Sequence, residues 1–136
     1  MTGSTSPRDV IQRLINGISA GSWQDLDQLY AEDAVVEYPF ALPSGPARLD
    51  GRSAIKRYFA AVARLPLELK ARHVVLHETS DPEVVIVEWD YDGLITTTGH
   101  SFQVSNIQVS RIRDSLIVSS RDYHNHPVLA DALARA

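Results

Sequence analysis

From residue 67 onward the chain is a succession of strand-length segments: "LELKARHVVLHE", "VVIVEWDYDG", "HSFQVSNIQVSRIR" and "LIVSSRDYHNHP". β-Branched residues crowd each of them, and "SDPE" and "RDS" supply turns between them. Four such segments in a row predict an antiparallel meander. In the third, the apolar residues change phase: Phe102 and Val104 share one parity, Ile107 and Val109 the other. A one-residue slip turns every side chain to the opposite face, so the phase change predicts a β-bulge near Ser105–Asn106.

The first half is written differently. "SPRDVIQRLINGISAG" carries Val10, Ile11, Leu14, Ile15 and Ile18 at helical spacing. Ser6 is placed to cap this helix, Pro7 suits its first turn, Asp9 completes the capping pattern, and Gly21 suits its end. "SWQDLDQLY" repeats the device, with Ser22 as cap and Trp23, Leu26, Leu29 and Tyr30 as the buried stripe. "AVVEYPF" predicts a short strand stopped by Pro39, and the three prolines between residues 39 and 50 predict an irregular loop. "GRSAIKRYFAAVARL" predicts a third helix, ended by Pro66, and "VLADALAR" a short last one. Helices first and a twisted sheet after give an α+β domain. Three N-terminal helices would pack on one face of a curved, mainly antiparallel sheet and enclose a cone-shaped pocket.

At 136 residues the chain suits a single domain, residues 1–136, with a core that needs no disulfide or metal. It has no cysteine, which excludes disulfides, thiolate metal sites and a cysteine nucleophile. A net charge of −4 with scattered Lys and Arg lacks the footprint of a nucleic-acid binder. "MTGSTSPRDV" has no apolar leader, and no apolar run approaches the roughly 20 residues of a membrane helix. The expectation is a cytoplasmic protein without membrane or nucleic-acid partners.

The chemistry concentrates in "RDYHNHP" near the end. On a strand, Asp122, His124 and His126 share one face at roughly 6–7 Å spacing. Asp122 facing a cavity would be a general base, its pKa raised by desolvation. Its parity with Leu116 and Val118 argues that it points inward. The plainer alternative is an ion pair with Arg111 or Arg121, or a solvated strand end. His124 is a candidate proton shuttle or an exposed strand-end histidine. Convergence of Asp122, His124 and His100 would make a metal site, but the leading reading involves neither metal nor cofactor. Tyr38 and Asn106 are candidate donors to a developing oxyanion, or an ordinary core tyrosine and a bulge residue. Leu14, Tyr58, Phe59, Trp89 and Phe102 are the expected walls of a substrate pocket. Glu88 and Asp90 lie on one face, Trp89 and Tyr91 on the other.

The phrases "AGSWQDLDQLYAEDAVVEYP", "LDGRSAIKRYF" and "NIQVSRIRDSLIVSSRDY" resemble the SnoaL-like and ketosteroid-isomerase-like proteins of the nuclear-transport-factor-2-like (NTF2-like) superfamily. The resemblance spans about residues 8–126 and implies the cone fold. SnoaL-like cyclases carry their base on the last strand, where Asp122 stands. Ketosteroid isomerases carry a base where this chain has Tyr38, and oxyanion donors where it has Leu14 and Asn106. What the resemblance implies is isomerase- or cyclase-type proton transfer on a hydrophobic carbonyl compound, by Asp122 with Tyr38, Asn106 and His124. It leaves two alternatives, a non-catalytic ligand-binding or assembly module and an epoxide-hydrolase-like hydrolase. It also implies a homodimer through the outer sheet face.

Overall fold

The computed structural model describes residues 5–136, so part of the N-terminal stretch read above lies outside it. Helix α1 is Pro7–Ser19, and the Ser6 side chain accepts from the Asp9 amide as its capping pattern predicts. Gly21 ends the helix with φ at 74°, a conformation that costs a residue without Cβ little. There the Gly21 amide donates to Ile18 and the Ser22 amide to Gly17, a Schellman closure. Val10, Ile11, Leu14 and Ile15 form its buried stripe.

The second expected helix is instead a run of 3₁₀ turns, Trp23–Leu29, and Ser22 makes no capping bond. Seven residues are too few for a cooperative α-helix, and the chain passes directly into a strand. That strand, β1, runs from Tyr30 to Glu37. The expected irregular loop contains a three-residue strand, β2 (Arg48–Asp50), paired antiparallel to Val35–Glu37. Helix α2 is Arg52–Ala63 and buries Ile55 and Phe59. Strands β3 (Leu67–Glu78), β4 (Val84–Ile95), β5 (His100–Arg113) and β6 (Leu116–His124) form the meander, and α3 (His126–Leu133) closes the chain.

The strands make one open six-stranded sheet in the order β2-β1-β6-β5-β4-β3. The β1–β6 pair is parallel and all others are antiparallel. Along β4 burial alternates strictly, with Val85, Val87, Trp89 and Tyr91 turned to the helices. Glu88 and Asp90 face out, where they meet His77 at 2.6 Å and His73 at 2.9 Å. α1, the 3₁₀ segment and α2 cover the inner face and share a core with Val36, Ile112 and Ile117.

Two inferences about register are corrected. The β4–β5 ladder runs unbroken from Val84↔Arg111 to Ile95↔His100, so there is no bulge at Ser105–Asn106. The inner face simply becomes polar there: Asn106, Gln108 and Ser110 continue the buried parity of Val104. Ile107 and Val109 are on the outer face, and Ile107 is 42% exposed. The irregularity lies further on, where Ile112 pairs with Ile117 but Arg111 pairs with Ser119. Val118 is the extra residue. It switches β6 from an inward Ile117 to an inward Ser120 and Asp122. Asp122 does point inward, though it shares its face with Ser120 rather than with Leu116 and Val118.

Gly93 is needed for close packing. A Cβ there would lie 2.2 Å from the tip of the Phe102 ring, which sits across the ladder from it. Gly93→Ala is expected to destabilise the fold by about 1–3 kcal/mol by overpacking. Urea denaturation would show a lower midpoint; an unchanged midpoint would mean that the ring swings aside freely.

Candidate functional site

Three inward rows of side chains cross the inner face where β1, β6, β5 and β4 lie side by side. In the first, Ser120 on β6 is opposite Ser110 on β5. In the second, Asp122 is opposite Gln108, and Gln108 is opposite Val87. In the third, His124 is opposite Asn106, and Asn106 is opposite Trp89. Tyr38 follows Glu37, the residue in register with Arg121, so it enters level with Asp122. The expected catalytic set of Asp122, Tyr38, Asn106 and His124 is thus gathered on one surface.

Asp122 is 6% exposed, and its one side-chain hydrogen bond is from Ser120 Oγ at 2.5 Å. Burial pushes its carboxyl up to about 7, against the opposing pull of that bond. Neither arginine considered as a partner reaches it. Arg111 pairs with Asp81 and Glu83 at 3.0 and 2.9 Å, and Arg121 is exposed.

The bond from Ser120 is the end of a chain. Gln108 Nε2 donates to Ser110 Oγ at 3.0 Å, and the Ser110 and Ser120 hydroxyls are 3.0 Å apart. A hydroxyl has one proton to give. If Ser120 gives its proton to the carboxylate, it accepts from Ser110, which accepts in turn from the Gln108 amide. The chain therefore runs in one direction and favours the anion that burial opposes. Gln108, Ser110 and Ser120 were missed in the sequence reading. Their signal was present as polar residues holding the buried parity of β5 and β6, and it was read as a bulge instead.

Tyr30, Tyr38, Tyr58 and Tyr91 surround the carboxyl. Burial pushes all four phenols up, and the charge of Asp122 adds to the rise. They are hydroxyl donors throughout the neutral range. Tyr38 and Tyr58 lie 5.7 Å apart by ring centroid, and Tyr38 meets the His126 ring edge-on at the same distance.

Beyond Asp122 the surface is neutral. Burial lowers His124 to about 4, helped by His126, and burial lowers His126 as well. Both are therefore uncharged at pH 7. As whole residues they are half-buried, but their Nε2 atoms are sealed from solvent. Those two atoms, Trp89 Nε1 and Asn106 Nδ2 have no hydrogen-bond partner among the described residues. A buried unmet donor or acceptor typically costs about 1–3 kcal/mol, so four in one patch single it out as the candidate site.

The expected pocket walls divide. Trp89 and Tyr58 border the cluster, and Leu14 belongs to the core above it. Phe59 packs on Trp23 and Tyr30. Phe102 stacks on His100, six residues along β5 from Gln108 and so roughly 20 Å away. His100 therefore does not converge with Asp122, and no metal-holding group of three or more His, Asp or Glu occurs among the described residues. Two surface depressions, of about 530 and 280 Å³, open on the outer side of the sheet.

A curved open sheet under helices is the architecture of the NTF2-like class. The chain belongs to the SnoaL-like domain family, whose profile matches residues 11–120. An uncharacterized PhzA/B-like protein of Pseudomonas aeruginosa is 34% identical over 115 residues, covering 83% of this chain and 77% of its own. YesE of Bacillus subtilis, also uncharacterized, is 32% identical over 111 residues, covering 82% and 74%. Among solved structures, a proposed isomerase from Bacillus subtilis superposes with a TM-score of 0.85 at 27% identity, covering 94% of this chain and 92% of that one. A proposed polyketide cyclase from Xanthomonas campestris reaches 0.77 at 19% identity, covering 93% and 96%, and shows likeness of fold. Among the described residues no helix is long and apolar enough to cross a membrane.

The raised carboxyl has a stability consequence whose sign is fixed. The folded protein holds the Asp122 proton up to about pH 7, whereas the unfolded chain releases it near the ordinary aspartate value of 3.8. The penalty for burying the charge is absent below about pH 4, grows by about 1.4 kcal/mol per pH unit to pH 7, and is constant above. Asp122→Asn removes it. The variant is expected to gain stability over the parent from pH 4 to pH 7 and to hold that gain at pH 8, as read by urea denaturation. A constant difference across this range would mean that the carboxyl is not raised.

Proposed function

We propose that this protein is a cofactor-free acid–base enzyme acting on a hydrophobic carbonyl compound, by isomerase- or cyclase-type proton transfer. The observation that carries the reading is Asp122: a carboxyl buried on the inner face among aromatic side chains, with one hydrogen-bond donor and no counter-ion among the described residues. Desolvation makes the carboxylate a stronger base, and a pKa near 7 matches it to neutral conditions. In the reaction, Asp122 takes the proton from a carbon next to the carbonyl. The C–H pair moves into a C=C bond, and the carbonyl π pair moves to oxygen, giving an enolate. Tyr38 and Asn106 supply hydrogen bonds to that oxygen, and neutral His124 relays a proton nearby. Protonated Asp122 then returns its proton to a different carbon or to the same one. Family membership and the likeness to a proposed isomerase support the reaction class.

The test is α-proton exchange in D₂O with a panel of alicyclic and aryl ketones such as 1- and 2-tetralone, followed by NMR. Catalysed exchange should rise with pH to a plateau above about 7 and fall by about 10²-fold or more in Asp122→Asn. Undiminished exchange in the variant would sink the base assignment. Saturable ketone binding with no exchange would point to a ligand-binding module instead.

We also infer a homodimer through the outer sheet face. Ile107 and Val75 stand exposed there, and Phe40, 65% exposed, meets the Tyr123 ring edge-on beside Ile107 at the larger depression. Ile107→Lys should shift the protein toward monomer in analytical ultracentrifugation, and a monomeric parent protein would overturn the inference.

A further inference from the structure

We propose that the indole N–H of Trp89 is a catalytic hydrogen-bond donor, which with the Asn106 amide forms a two-donor site for the substrate's carbonyl oxygen. This deepens the acid–base reading and rests on it.

Both atoms are buried, in side chains that are 3% and 5% exposed, and neither makes a well-formed hydrogen bond among the described residues; the Tyr91 hydroxyl lies beside the indole and is the group a ligand oxygen would displace. Both are donors only: an indole nitrogen and an amide Nδ2 have no lone pair to offer. Trp89 and Asn106 are direct cross-strand partners turned to the same face, so their N–H groups serve a common acceptor. The indole is held at right angles by two neighbours. The Tyr91 ring meets it at 88° and 5.6 Å, and the His124 ring at 87° and 5.8 Å. The donor is thus aimed before any ligand arrives, the condition under which such groups favour a transition state most.

The position also fits the base. Asn106 and His124 are one inward step, roughly 6–7 Å, from Gln108 and Asp122. A substrate held with its acidic carbon at Asp122 would therefore direct its carbonyl oxygen along the strand toward Trp89 and Asn106. Among the described residues the patch has no fixed cation, since His124 and His126 are neutral at pH 7. Its ligand is therefore an uncharged ketone rather than a carboxylate, whose charge would be desolvated beside Asp122 without a counter-ion. Neutral His124 has one acceptor nitrogen, which can take the proton of an enol hydroxyl.

The chain has two tryptophans, Trp23 and Trp89, so an ¹H–¹⁵N spectrum of the intact protein shows two indole signals, which Trp23→Phe assigns. The protein is titrated at pH 7 with 2-naphthol, a stable enol analogue, and with naphthalene as the control without oxygen. The Trp89 indole proton should move downfield, saturably, with 2-naphthol and not with naphthalene. Trp89→Phe should weaken 2-naphthol binding about tenfold or more while leaving naphthalene binding unchanged. Naphthol binding without movement of that signal, equal affinity in Trp89→Phe, or no preference for naphthol over naphthalene would each overturn the proposal. So would failure of 2-naphthol to bind. Asp122→Asn separates the two claims. The indole shift should persist in it, and undiminished ketone exchange alongside that shift would refute the base while leaving the donor site standing.

Discussion

The buried carboxyl of Asp122 is the constraint around which the site is arranged. A charge in an apolar interior is costly, and proteins usually meet that cost with a counter-ion or several donors. Among the described residues the one direct donor is a serine hydroxyl, backed by a second serine and a glutamine amide. That chain is enough to keep the group ionisable and too little to make it a comfortable anion, so the carboxyl stays close to the protonation balance at neutral pH. The same low-dielectric setting suppresses ionisation of the four tyrosines and of both histidines around it. One group can carry charge, and its neighbours present neutral hydrogen-bonding atoms.

The scaffold holds this arrangement without help from the exposed ion pairs. Arg72–Asp92, His73–Asp90 and His77–Glu88 bridge β3 and β4 on the outer face, where solvent screens them and such pairs contribute little. The sheet is held by its inner side, where α1 and α2 bury Ile11, Leu14, Ile15, Ile55 and Phe59 against Val36, Val87, Ile112 and Ile117. The polar rows interrupt this core at one end, and the unpartnered donors lie at the far edge of the interruption. Stability and site therefore draw on different parts of the same face.

Much of this was legible in the sequence. Capping at Ser6, the stripe of α1 and the β-branched meander follow from local spacing, and local spacing depends on backbone geometry alone. So did the gathering of Tyr38, Asn106, Asp122 and His124, once the family resemblance had been drawn. What failed was interpretation of parity. The change of apolar phase along β5 is not a change in backbone register. It is a change in what the inner face is made of, with the apolar residues passing to the outer side. A sequence pattern cannot distinguish a flipped strand from a strand whose two faces exchange character, because both write the same alternation. Likewise Phe102, an inward aromatic like Trp89, lies far along its strand from the acid.

The sequence by itself determined the class of fold and the succession of α1, α2 and the four long strands, because these rest on periodicity and on residue chemistry. Only the tertiary structure decided why Asp122 faces inward, since that depends on one unpaired residue, Val118, in the β5–β6 ladder. It alone decided which polar side chains go without partners, since hydrogen bonds between Trp89, Asn106, His124 and their surroundings depend on distances across three strands. No single strand's sequence encodes those distances.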